Sequence, residues 1–85
     1  MAEVKVGRVT HYFGHIQVAA IKLEGELKVG DTIHFRGHTS DFMQPVDSMQ
    51  LEHERVEVGQ PGQEVAIKVV EHAREHDEVS VVTAD

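Results

Sequence analysis

The sequence predicts an all-β fold, a small six-stranded closed β-barrel. Three observations predict it. Val, Ile, Thr, Phe and Tyr hold most apolar positions, and these residue types suit a pleated, half-buried surface. Glycines recur at positions 7, 14, 25, 30, 37, 59 and 62, spaced as turns between short strands. Apolar spacing of the helical kind is scarce. Six strands in 85 residues favour closure, because a barrel removes the exposed edges at which open sheets aggregate. The whole chain, residues 1–85, reads as one domain.

The first strand covers residues 4–12, with Gly7 marking a bulge. Phe13-Gly14-His15 turns the chain into the second, residues 16–23. Glu24-Gly25-Glu26 ends it, and residues 27–31 lead into the third, residues 32–36. Residues 37–41 form a loop. The fourth strand covers residues 43–53, with Pro45 placing its start at an unpaired edge. Gly59-Gln60-Pro61-Gly62 is the strongest turn signal in the chain. The fifth strand, residues 64–70, alternates Val65, Ile67 and Val69 on one face. Residues 71–78 read as a charged loop, and residues 79–83 as the sixth strand. The expected core is Val4, Val6, Val9, Ile16, Val18, Ile21, Leu23, Leu27, Ile33, Phe35, Val46, Met49, Leu51, Val65, Ile67, Val69, Val79 and Val81.

The formal net charge is −7, unevenly spread. Residues 1–40 hold five basic and four acidic residues; residues 41–85 hold three and eleven. An acidic total opposes tight non-specific binding to nucleic acid, which needs cationic contacts to phosphate, but leaves room for one basic patch. With no cysteine, disulfides, thiolate nucleophiles and cysteine-ligated metals are excluded. No apolar run reaches the roughly 18–20 residues of a membrane span. Met1-Ala2-Glu3-Val4-Lys5 lacks the apolar stretch of a signal peptide, so the expectation is a cytoplasmic protein.

Four constellations bear on function. Gly25-Glu26-Leu27-Lys28-Val29-Gly30 matches the glycine spacing of a phosphate loop, but Asp31 stands where the motif needs lysine and would repel phosphate. No GTP binding is expected. The pairs His11/His15, His34/His38 and His72/His76 have i,i+4 spacing. On strands that spacing separates the rings by roughly 13 Å, too far for one ion, so no metal or other cofactor is expected. Ser40, Ser48 and Ser80 lie outside any nucleophile-elbow motif, and the carboxylates cluster in runs that read as solvated faces; the chain is not expected to be an enzyme. The fourth is a binding face. His34 and Arg36 alternate with Ile33 and Phe35 and are expected to point outward. Lys5, Arg8 and His15 lie on the neighbouring hairpin, with His11, Tyr12 and Phe13 adding rings. Cations interleaved with aromatics suit single-stranded nucleic acid, although ordinary surface charge produces the same pattern.

Gly7-Arg8-Val9-Thr10, then residues 27–33 (Leu-Lys-Val-Gly-Asp-Thr-Ile), Gly37, Val46-Asp47-Ser48-Met49-Gln50, Val56, and residues 61–67 (Pro-Gly-Gln-Glu-Val-Ala-Ile) resemble the β-barrel domain II of translational GTPases, such as elongation factor Tu. Val9-Thr10-His11-Tyr12-Phe13, His38-Thr39-Ser40-Asp41-Phe42 and residues 48–53 also resemble stand-alone elongation-factor-like proteins and the C-terminal barrel of U32 peptidase-like proteins. The first resemblance implies an elongation factor Tu domain II-like barrel that contacts RNA. By position, His15 stands where that family has an arginine, Gln50 where its glutamate faces the terminal adenosine, and His76 at the glycine of an R-x-G-D turn. The expected function is therefore a non-catalytic module contacting tRNA, rRNA or a ribosome-associated protein through Lys5, Arg8, His15, His34, Arg36 and Gln50. The alternative is a protein-interaction or oligomerisation barrel, accessory to a U32-like enzyme.

Overall fold

The computed structural model describes residues 2–83. Ten strands follow in order: β1 (Ala2–Phe13), β2 (Val18–Leu23), β3 (Leu27–Lys28), β4 (Thr32–Arg36), β5 (Asp41–Pro45), β6 (Met49–Leu51), β7 (Glu54–Val56), β8 (Val58–Gly59), β9 (Glu64–Lys68) and β10 (Glu78–Thr83). The fold is all-β, and no helix forms among the described residues. Residues 69–77 lie outside any strand, so the loop expected at 71–78 is present, although Glu78 already begins β10. Likewise, no helix is long and apolar enough to cross a membrane.

The sheet does not close into a barrel. Eight strands pair in the order β5-β4-β10-β1-β2-β9-β6-β7, leaving β5 and β7 as edges, while β3 and β8 form a separate ribbon. The predicted fourth strand explains the difference. It breaks after Pro45 into β5, which pairs with β4, and β6, which pairs with β9. Proline has no N–H to continue a ladder. Val46 instead bonds the turn before β4, accepting from Gly30 N at 2.9 Å and donating to Asp31 O at 2.8 Å. The gap beyond β5 is spanned by a side chain. The buried Gln44 donates Nε2 to Lys68 O and accepts from Val70 N, both at 2.8 Å. Its amide thus takes the two bonds that a neighbouring strand would have made.

The core is centred on Ile21, Leu23, Leu27, Ile33, Phe35, Met49, Ile67 and Val79. Phe42 stacks on Phe35 with ring centroids 4.7 Å apart. Ala19, Phe42 and Ala73 join the core unforeseen. Val4 and Ile16 leave it, at 57% and 61% exposure. Val4 lies beyond the end of β2, whose ladder with β1 stops at Gly7–Leu23, and Ile16 falls in the hairpin turn. β1 is bulged between Lys5 and Gly7, as Gly7 suggested, and again between Val9 and His11. Gly37 permits a close approach: a Cβ there would collide with Oδ1 of the buried Asp77, whose Oδ2 accepts from Arg74 N at 2.9 Å.

Candidate functional site

Antiparallel partners share a face, so the register shows which exposed residues stand side by side. One row crosses six strands: Asp41, Arg36, Glu78, Arg8, Lys22 and Glu64. All six are exposed. Arg8 and Arg36 thus flank Glu78, and the row carries as many carboxylates as cations. Lys5 lies 3.9 Å from both Glu24 and Glu78. His15 sits apart in the β1–β2 turn, and Gln50 lies on β6. The residues proposed for RNA are therefore spread among acids rather than gathered into a basic patch.

His34 departs furthest from expectation. Its strand alternates as predicted, yet the ring is buried, because β1 and β5 send side chains over it. Nδ1 meets Glu3 at 3.0 Å and Nε2 meets Asp41. The Asp41 bond outweighs burial and, with Glu3, raises the His34 pKa above 6.5; the same contact, helped by Arg36, lowers that of Asp41. Ser80 stands directly across from His34 on β10. Serine, histidine and aspartate are thus neighbours, but both ring nitrogens face carboxylates. None is free to take the hydroxyl proton, as a hydrolytic triad requires.

Two depressions among the described residues bear on function. The smaller, of about 450 Å³, lies between the β1–β2 turn and residues 72–75, where the Tyr12 and His72 rings meet at 4.3 Å. The larger, of about 580 Å³, is a groove on the outer face. Ala20 and Ala66 pair across β2 and β9, and Ala66 pairs with Gln50 on β6. Two methyl groups side by side make a low floor. Phe13, 44% exposed, contributes to the lining. The rim carries Glu52, His53, Gln63 and Glu64, whose carboxylate accepts from the Thr10 hydroxyl. Glu52 and His53 form the two-residue β6–β7 turn with φ of 52° and 69°. Positive φ at both positions is the geometry of a type I′ hairpin, usually Asn-Gly. Of the residues expected at the site only Gln50 lines this groove. The Glu52-His53 turn was hidden because neither residue is a turn former and the run reads as one charged strand.

No protein-family profile matches the chain. It is 37% identical over 78 residues to "Uncharacterized protease MJ0090" of Methanocaldococcus jannaschii, covering 91% of this chain and 19% of that one. It is 34% identical over 79 residues to a "Collagenase" of Porphyromonas gingivalis, covering 91% of this chain and 19% of the relative. The chain thus spans about a fifth of the length of these curated relatives. A crystal structure of the C-terminal domain of a putative U32 peptidase from Geobacillus thermoleovorans matches the fold with a TM-score of 0.88 at 19% identity, covering 94% of this chain and 93% of that one. Its selenomethionine variant gives 0.84 at 20% identity, covering 88% and 95%. These similarities fit the U32-like part of the sequence resemblance. The elongation factor Tu identity and its RNA contact find no support in them.

Proposed function

We propose that this chain is a non-catalytic accessory domain, equivalent to the C-terminal domain of U32 peptidase-like proteins. The observation that supports it is the way the match falls. Nearly all of this chain corresponds to one fifth of relatives named as a protease and a collagenase. The rest of each relative is large enough to hold a separate catalytic body. The occupied ring of His34 agrees with a domain that leaves chemistry to a partner. Its role is to present a shaped surface, either to that body or to what the body acts on.

A chimera tests this. The matching segment of the Porphyromonas gingivalis collagenase is deleted, or replaced by this chain, and collagen cleavage is followed. The chimera is expected to regain activity lost on deletion, while this chain alone cleaves nothing. Cleavage by the isolated chain, or a chimera no better than the deletion, would overturn the proposal.

A further inference from the structure

The groove has an origin in the hydrogen-bond ladder. Strand β9 pairs with β2 along its whole length, but with β6 only at Ile67–Met49 and Ala66–Gln50. Leu23 N donates to Gln63 O and Val69 N to Gln17 O, so odd-numbered residues of this segment bond toward β2. Alternation along the strand then aims the main-chain N–H and C=O of Glu64, Ala66 and Lys68 the other way. Ala66 meets Gln50, and Lys68 O accepts from Gln44. Glu64 faces the place where β6 has already turned into the Glu52-His53 hairpin, and no strand pairs with it there. The groove is therefore a splay between two strands, and on the β9 wall the Glu64 backbone groups have no strand partner on that side among the described residues.

The β9 wall is held in place by the turn that leads into it. Gly62, with φ of 90°, donates N–H to Leu23 O at 2.9 Å; its carbonyl accepts from Lys22 Nζ at 2.9 Å. Gln63 Oε1 accepts from Gln60 N at 2.8 Å. Across the splay, the hairpin holds two non-glycine residues in left-handed backbone, a conformation that costs roughly 1–2 kcal/mol per residue. Such outliers cluster at ligand clamps. The charged lining residues are Glu52 and Glu64, with no lysine or arginine among them. A volume of about 580 Å³ falls in the range of roughly 300–1,000 Å³ typical of ligand clefts.

We propose that this cleft binds a short extended peptide carrying lysine or arginine. The peptide adds to β9 through the main chain of Glu64, as strand addition does elsewhere. Its cationic side chain lies between Glu52 and Glu64, with its aliphatic stem over the Ala20–Ala66 floor and beside Phe13. This inference stands on the cleft alone and does not need a peptidase-like partner.

The test is a titration of the intact chain, followed by amide chemical shifts, with a capped Val-Lys-Val-Arg-Val peptide and its Val-Glu-Val-Glu-Val counterpart. Saturable shifts are expected at Gln50, Glu52, Gln63, Glu64 and Ala66 with the basic peptide only, and the Glu64 amide should gain exchange protection. Glu52→Gln and Glu64→Gln should each weaken binding about three- to fivefold, the range of an exposed ion pair. Should Glu64→Gln disturb folding through Thr10, Ala66→Val raises the floor while suiting a strand, and should abolish the shifts. Equal response to the acidic peptide, shifts outside the cleft, or no saturation at millimolar peptide would overturn the proposal. So would cleft shifts evoked by a short single-stranded oligonucleotide and not by peptide. A chimera that fails while the peptide still binds would count against the accessory role alone.

Discussion

Replacing Gln44 measures how much the fold depends on a side chain in place of a strand. Gln44 is 6% exposed, and its amide makes two 2.8 Å bonds, to Lys68 O and Val70 N. A typical internal hydrogen bond contributes about 1 kcal/mol net, so Gln44→Ala removes about 2 kcal/mol from these two. Lost packing of the buried stem adds up to about 1 kcal/mol. The orphaned Val70 N–H escapes the full desolvation cost, because Val70 is 68% exposed and water can reach it. The expected loss is about 2–3 kcal/mol, against a total of roughly 4–13 kcal/mol for a domain of 85 residues. At about 4–8 °C per kcal/mol, the midpoint should fall by roughly 10–20 °C. Gln44→Met keeps the volume and should lose about 1–2 kcal/mol, the hydrogen-bond share. Gln44→Glu can still accept from Val70, but sets a carboxylate against the Lys68 carbonyl. It should be the least stable variant at neutral pH and recover on acidification. The assay is urea unfolding combined with amide exchange, and the Val70 amide should lose protection in the Ala and Met variants. Wild-type stability of Gln44→Met with unchanged Val70 exchange would refute the idea that this amide joins the sheet across its gap.

The His34 pair makes stability depend on pH in a defined window. Its pKa is raised from 6.5, so the stabilisation is complete below that value and is lost as pH rises through the folded pKa; the lowered pKa of Asp41 preserves the pair down past 3.8. Thermal midpoints of the wild type should therefore fall as pH rises above 6.5, while His34→Gln shows a flatter curve; parallel curves would rule this out. Glycine at His53 or His76, with φ of 69° and 75°, should stabilise by up to about 1 kcal/mol each, read in urea, because glycine enters left-handed backbone freely. Destabilisation by both would show that these φ values carry no strain. Gly37→Ala should cost about 1–3 kcal/mol as its Cβ displaces Asp77, and a neutral result would mean that the 74–77 turn shifts freely.

The all-β class and the element positions were legible in local chemistry. Val65, Ile67 and Val69 alternate because every second side chain of a strand faces the core, and all three are buried. Gly62 marks its turn with a left-handed φ, and Gly7 marks its bulge. His76 takes the left-handed backbone at the position where the domain II resemblance placed a glycine. What stayed hidden depends on residues distant in sequence. The run 43–53 looks continuous, but β5 and β6 choose different neighbours, and pairing partners leave no mark on local alternation. That choice kept the sheet open and gave Gln44 its task. His34 has the outward parity that its strand implies, yet Glu3 and Asp41, brought over it from β1 and β5, bury it. The cleft arises where β6 parts from β9, and separation between strands is a property of the assembled sheet alone. Local sequence sets which face a side chain takes, whereas tertiary pairing decides what stands beside it and where the sheet opens.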